Sequence, residues 1–427
     1  MSDRTRIVVT GLGAVTPFGS GVPQFWDGIV SGHSAIREME NDHWQQWVPA
    51  AAQISDFNPS DYLTRKQIQN TDRFTQFGLV AAMEAFRDAG WKDGHSLHKD
   101  YSEDRIGISI GCAFGGVQTL EEGSARISSG RSTRVGARLV PKMIPNAAGA
   151  AIAKYFQCHG PVMTYATACA SSANAIGEAS YWLRLDEADM VLAGGAECLF
   201  SPVILAGLRD SGAIATIGPE DMSQWSRPFD KQRAGMVMGE GAAMIVLEKL
   251  EHAKARGARI YAELIGYGSS NDAYHETAPD PKGRGAALAM RRAIKSAGIE
   301  AKDIDYINAH ATATPTGDIA ESIALREIFG SHLDNIPVSS IKGSIGHMLG
   351  TAGAIESIAC IKAMNTSTLP PTLNCDDKEE FAPRDVVPNH SRTSRISRAL
   401  SNSFGFGGQN GVLIWKNAES IDKNNLL

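Results

Sequence analysis

The chain contains no CxxC pair. Its six cysteines (Cys112, Cys158, Cys169, Cys198, Cys360 and Cys375) are scattered, a spacing that indicates neither a zinc site nor a disulfide framework. No uninterrupted apolar run is long enough to span a bilayer. The polar start, Met1 to Arg6, runs straight into Ile7-Val8-Val9 without the charged-then-apolar layout of a signal peptide. Excess positive charge is missing too: the formal net charge of -6 argues against general nucleic-acid binding. Together these absences predict a cytoplasmic protein in a reducing compartment, without membrane, metal or nucleic-acid partners.

One local absence says more than the total. Between Glu122 and Glu178 no acidic residue occurs, and the same interval carries Arg126, Arg131, Arg134, Arg138, Lys142 and Lys154. A solvated loop face accounts for most charge of this kind. In a net-acidic chain, an island beside a candidate nucleophile also fits an anionic substrate or an acidic partner.

At 427 residues the chain is too long for one ordinary domain unless two similar halves share a sheet system. Strand-like runs at 6–10, 106–110, 162–165 and 189–193 alternate with helical spacing, notably Phe74, Phe77, Ala81 and Ala85 after a Thr71-Asp72 cap. The pattern restarts near residue 255: strand at 259–267, helix at 285–297, strand at 304–308, helix at 318–329, strand at 336–339 and helix at 350–364. Two strands then flank a glycine turn, Gly405 to Gly411. This reads as an α/β fold with halves 1–254 and 255–427, although no sequence repeat is visible. Gly11-Leu-Gly-Ala-Val-Thr16 lacks the third glycine of a dinucleotide loop, and Pro17 follows where a helix should start, so that reading is rejected.

The chemistry centres on Cys169. Val162–Tyr165 reads as a short buried strand, small residues crowd the cysteine, and Ile176, Ala179, Trp182 and Leu183 have helical spacing. A thiol at a helix start faces free N–H groups and the positive end of the dipole, which favours thiolate. From this window alone a nucleophile and a small core cysteine fit equally well. Two histidines follow strands in the second half: His310 after Tyr306-Ile-Asn-Ala, and His347 within Lys342-Gly-Ser-Ile-Gly-His347. Singly, each is more often a structural residue. Together, among glycines and beside such a cysteine, they point to catalysis. Lys342 is flanked by apolar residues and calls for a buried partner, with Glu356 the nearby acid.

The chain resembles the condensing enzymes of the thiolase superfamily, most closely the type II β-ketoacyl-acyl-carrier-protein synthases. Thr167-Ala-Cys-Ala-Ser171, Arg227-Pro-Phe-Asp230, Asn308-Ala-His310, Thr314-Pro-Thr-Gly-Asp318, Lys342-Gly-Ser-Ile-Gly-His347 and Asn402-Ser-Phe-Gly-Phe-Gly-Gly408 carry the likeness, in that order. It implies a thiolase-like fold, two similar halves in a five-layered α-β-α-β-α arrangement. It further implies a decarboxylative Claisen condensation between an acyl thioester on Cys169 and malonyl-carrier protein, in fatty-acid-type elongation. His310 and His347 would stabilise the enolate as neutral donors. Phe406 would supply a backbone N–H to the oxyanion and act as a gate, with Lys342, Glu356 and Asp318 in support. Thr312 and Thr314, pointing the same way on an extended segment, would bind the pantetheine arm. Phe114 falls at the floor of the acyl pocket, and Arg65, Lys66 and Arg134 on the carrier-protein footprint. No cofactor is implied, since phosphopantetheine on an acyl carrier protein brings the substrates. The partners implied are that carrier protein and either a second copy or a homologous chain-length factor.

The chain departs from the family pattern at Ala311 (usually Gly), Gln409 (usually Thr), the weakly charged Ile68-Gln69-Asn70 and the large Phe114. Asn70-Thr-Asp-Arg-Phe-Thr75 and the altered glycine loop also resemble ketosynthases of type II polyketide systems, the alternative reading. A non-catalytic partner subunit is disfavoured by the intact Cys169, His310 and His347. A degradative thiolase is disfavoured because it would use a second cysteine.

Overall fold

Short apolar strands alternating with helices recur twice along the chain, and the fold follows that repetition. The computed structural model describes residues 5–130 and 133–419. Arg131 of the basic island lies outside them. The first run comprises β1 (Ile7–Thr16), α1 (Arg73–Asp88), β2 (Ile106–Gly111), α2 (Ala147–Phe156), β3 (Val162–Tyr165), α3 (Ser171–Arg184), β4 (Met190–Glu197) and β5 (Gly241–Lys249). The second comprises β6 (Ala262–Asn271), α4 (Arg284–Ala297), β7 (Tyr306–Asn308), α5 (Gly317–Phe329), β8 (Val338–Ser339), α6 (Ala352–Thr366), β9 (Arg398–Gly405) and β10 (Gln409–Asn417).

The strand order is β3-β2-β4-β5-β1 in one sheet and β8-β7-β9-β10-β6 in the other. In each, the first three strands run parallel and the last two pairings are antiparallel. The sheets join edge to edge through β1 and β6, with Val8 opposite Glu263 and Val9 opposite Ala262. Helices α3 and α6 lie between the sheets and pack on both. Helices α1 and α2 cover the outer face of the first sheet, and α4 with α5 that of the second. The result is the five-layered α-β-α-β-α arrangement.

Local sequence explains these placements. Helix α6 is apolar nearly all round, as a helix between two sheets must be, and its Ile355, Ile358, Ala359 and Ile361 are fully buried. Strand β1 continues straight through Gly11 and Gly13, which are contact points rather than a phosphate loop. A Cβ on them would sit 2.2 Å from the Ala85 carbonyl oxygen and 2.0 Å from that of Ala81, so only glycine lets α1 lie this close. Asp72 caps α1 by accepting from the Phe74 N–H. The expectation that β3 is a buried strand is corrected: among the described residues it pairs only with β2, at the sheet edge, and Met163 is 54% exposed. A short apolar run reads the same at an edge as at a centre.

Candidate active site

The first sheet delivers Cys169 through a tight elbow. After β3 the chain passes Ala168 in the left-handed region (φ 48°), makes one 3-10 turn at Ala168–Ala170 and enters α3. A non-glycine residue there is strained, and polar contacts hold it. Ser171 Oγ donates to the Ala168 carbonyl at 2.6 Å and accepts from the Thr167 N–H at 2.9 Å. Asn174 Nδ2 donates to Thr167 Oγ1 at 2.9 Å. The end of β9 lies directly on this elbow. A Cβ at Gly405 would be 2.8 Å from the Thr167 oxygen and 2.9 Å from the Cys169 nitrogen, so glycine is required. That contact brings the Phe406 N–H to the Cys169 sulfur, alongside the N–H of Cys169 itself.

Burial pushes the Cys169 thiol up to about 12, with the Lys342 charge and those two N–H groups pulling the other way. The expected thiolate is therefore corrected: desolvation outweighs the helix start, and the resting sulfur is protonated.

His310 sits in the turn after β7, and His347 follows the short helix Lys342–Ile345. Their ring centroids are 5.3 Å apart at 81°. The Cys169 sulfur and one ring nitrogen of each histidine lie within 4.8 Å of one another. Burial and the Lys342 charge hold both imidazoles well below the usual histidine range, so both are neutral near pH 7. His347 is fixed through its main chain, its N–H donating to the Val237 oxygen and its carbonyl accepting from Gly239.

Lys342 and Glu356 form the expected buried ion pair, and the Lys342 ammonium also donates to the His310 carbonyl. Burial raises the Glu356 carboxyl to about 7, against the pull of Lys342. Asp318 braces the neighbouring turn: it accepts from the Phe229 N–H at 2.8 Å and from the Ala313 N–H, and burial raises it to about 7.

A cavity of about 290 Å³ is lined by Cys169, His310 and His347 together with Thr312, Thr314, Phe404 and Phe406. The hydroxyls of Thr312 and Thr314 are 3.1 Å apart. They point the same way because Ala313 turns at φ 64°, not because the segment is extended as expected. Phe406 is half-buried at the start of the Gly407-Gly408 turn, where Gly407 has φ 72°. Phe114 does not line this cavity. It packs behind Cys169 with Phe200, Leu205, Leu349 and Phe406.

Arg65, Lys66 and Arg134 are exposed. Lys66, Arg138, Lys142 and Lys154 border a separate surface groove of about 650 Å³, and none of the described residues of the basic island lines the cavity. The island thus forms an outer rim rather than a charged nucleophile pocket.

Two carboxylates escaped the motif reading. Glu321 accepts from the His310 N–H at 2.9 Å, the Ala311 N–H at 2.7 Å and Asn402 Nδ2 at 2.9 Å, and so fixes the turn that presents His310. Glu197 does the same for the turn after β2, accepting from Ala113 at 2.7 Å and Phe114 at 3.2 Å. Asp318 and Glu321 stand one helical turn apart, sharing the face of α5 that buries Ala324 and Leu325; two acids on an apolar face were the available signal.

Comparison with known proteins agrees with this geometry. Residues 4–253 match the family model for the β-ketoacyl synthase N-terminal domain, and residues 261–376 that for the C-terminal domain. The chain is 39% identical to a 3-oxoacyl-[acyl-carrier-protein] synthase 2 of Staphylococcus aureus, over 98% of this chain and 100% of that protein. It is 38% identical to the protein of the same name from Coxiella burnetii, over 96% of this chain and 98% of that one. Among solved structures, a β-ketoacyl synthase from Burkholderia phymatum superposes with TM-score 0.88 at 33% identity, covering 97% of this chain and 100% of that one. A chain of a type II polyketide complex between an acyl-carrier protein and its ketosynthase superposes with TM-score 0.89 at 32% identity, covering 97% and 100%. No helix among the described residues is long and apolar enough to cross a membrane. The chain belongs to the β-ketoacyl synthase family, acyltransferases with the thiolase-like fold.

Proposed function

We propose that this chain condenses an acyl thioester with malonyl-carrier protein, with loss of CO₂, to give a 3-oxoacyl-carrier protein in fatty-acid-type elongation. The observation that carries the reading is one thiol and two neutral imidazoles close together in the lining of a single cavity. The Cys169 sulfur attacks the acyl thioester, and the oxyanion meets the backbone N–H groups of Cys169 and Phe406. Collapse expels the pantetheine thiolate, which takes up the proton that the Cys169 thiol gives up. Malonyl thioester then binds with its carbonyl toward His310 and His347, loses CO₂, and its enolate carbon attacks the acyl group on Cys169. Neutral N–H donors suit an enolate because they stabilise the oxygen without supplying a strong acid to quench the carbanion. The Cys169 sulfur leaves and regains a proton.

Thr312 and Thr314 bind the pantetheine arm, Phe114 bounds the acyl tail in the apolar cluster behind Cys169 rather than in the cavity itself, and Lys342, Glu356 and Asp318 hold the histidine turns in place. Arg65, Lys66 and Arg134 receive an acyl carrier protein on the outer surface. The unpaired edge of β3, with Met163, Tyr181 and Leu185 exposed nearby, favours pairing with a second copy or a homologous subunit. The six cysteines are all free thiols, which suits a reducing cytoplasm.

The test is intact-protein mass spectrometry with acyl-carrier protein. The parent chain should gain one acyl group and Cys169→Ala none; an adduct retained on that variant removes Cys169 as the nucleophile. A second reading, a ketosynthase of a type II polyketide system, draws support from the solved neighbours, one of which is a ketosynthase/chain length factor pair at 32% identity. Turnover of saturated acyl chains by the purified chain alone favours elongation of fatty acids. Silence until a sister subunit is co-expressed favours the second reading.

A further inference from the structure

Three donors of the kind that bind zinc meet in the lining of the cavity, although the cysteine spacing pointed away from any metal site. The Cys169 sulfur and one nitrogen each from His310 and His347 lie within 4.8 Å of one another, all on buried side chains. A second observation is independent of that proximity. His310 Nδ1 and both ring nitrogens of His347 are buried and have no hydrogen-bond partner among the described residues. Buried polar atoms in folded proteins nearly always have one. A thiol with two neutral imidazoles, each of which keeps one lone-pair nitrogen, is a Zn²⁺ donor set.

We propose that Cys169, His310 and His347 bind one Zn²⁺ reversibly, and that the metal and an acyl group exclude each other from Cys169. Tetrahedral zinc with one sulfur and two nitrogen ligands needs donor separations of about 3.3–3.6 Å. The trio must therefore draw together by at most about 1.5 Å. Among the described residues no hydrogen bond holds His310 Nδ1 or either His347 ring nitrogen against this movement. On binding, the metal displaces the Cys169 proton to solvent, as zinc does with any coordinating thiol. The two imidazoles give lone pairs and stay neutral, leaving a net single positive charge. Nearby, Lys342 is already neutralised by Glu356. Thr312 and Phe404 line the same cavity, whose volume leaves room for a water as the fourth ligand.

The same vacancy limits the affinity. Resident zinc histidines donate their second nitrogen to a carboxylate or carbonyl, and loss of such a partner costs about 10–100-fold in affinity. Neither His347 nitrogen has one. The site is thus an exchangeable, inhibitory one that shields the nucleophile, and its measurement requires no acyl substrate.

The full-length chain, stripped with chelator, is treated with ZnCl₂ and then iodoacetamide, and Cys169 alkylation is followed by mass spectrometry. We expect at least tenfold slower alkylation with one Zn²⁺ per chain, reversed by EDTA. Co²⁺ in place of Zn²⁺ should give a sulfur-to-metal charge-transfer band in the near ultraviolet. Chain alkylated beforehand at Cys169 should give no such band, a control that needs no variant to fold. Unchanged alkylation in Zn²⁺ overturns the proposal, as does protection that survives in a folded His310→Ala/His347→Ala variant. Equal Zn²⁺ uptake by Cys169→Ala would assign the metal elsewhere and also overturn it.

Discussion

The two halves of the molecule share one backbone plan and divide its chemistry. Both sheets have the same strand order, and in both a central helix starts at the active centre: α3 from the Cys169 elbow, α6 just after His347. Both also use a buried carboxylate to fix the turn after the second strand, Glu197 for Ala113 and Phe114, Glu321 for His310 and Ala311. The difference lies in what each turn presents and what stands behind it. The first half offers a thiol backed by an apolar cluster of Phe114, Phe200 and Leu205. The second offers two imidazoles backed by the Lys342–Glu356 ion pair. A duplicated backbone supplies two facing turns, and side chains make one half nucleophilic and the other hydrogen-bonding.

The largest effect is expected from removing the charge that distinguishes the second half. Lys342→Met leaves Glu356 buried without its partner, which should cost about 3–5 kcal/mol of stability at pH 8. The loss should shrink toward pH 6. Glu356 already has a raised folded-state pKa of about 7, so below it the carboxyl protonates and no unpaired charge remains. Urea midpoints at the two pH values read this directly. A Lys342→Met variant as stable as its parent at pH 8 would mean the ion pair is not what separates the halves. The double variant Lys342→Met/Glu356→Leu should recover the stability but not the turnover, because the His310 carbonyl loses its Lys342 donor.

Next comes the division of labour itself. His310→Ala and His347→Ala should each lower condensation about 10²–10³-fold, the usual cost of one oxyanion donor. Acyl transfer to Cys169 should stay within a few-fold of the parent chain. Single-turnover acylation and decarboxylation of malonyl-carrier protein, measured separately, give the two rates. Equal losses in both would show that the histidines serve the thiol and that the halves do not split the reaction.

Motifs made Cys169, His310, His347 and the Lys342–Glu356 pair legible because short glycine-rich turns expose the residues they present. The alternation of strands and helices likewise exposed the layers and the restart in the second half. The duplication stayed hidden because the halves share backbone geometry rather than residues: His310 and Phe114 sit in corresponding turns and have nothing chemical in common. Glu197 and Glu321 were missed for a related reason. Apart from the apolar helix face that Glu321 shares with Asp318, a glutamate that accepts main-chain N–H groups looks, in sequence, like any surface glutamate. The Cys169 thiol was misjudged because a helix start is visible in sequence and the depth of burial that outweighs it is not.

The smallest effect, and the sharpest comparison, concerns those two carboxylates. Burial raises both above the ordinary glutamate value, Glu197 to about 7. A raised folded-state pKa means stability that is fully present below the unfolded value, near 4.5, and lost as pH rises through about 7. Glu197 alone should therefore remove on the order of 3 kcal/mol between those limits. Glu197→Gln cannot ionise, so its urea midpoint should fall less than the parent's from pH 5 to pH 8. Glu321→Gln should flatten the profile in the same sense and in addition lower condensation about tenfold, since only its turn carries a reacting group. Superimposable pH profiles for parent and both variants would mean the carboxylates titrate normally. A rate loss in Glu197→Gln equal to that in Glu321→Gln would mean that both turns, not one, position the enolate.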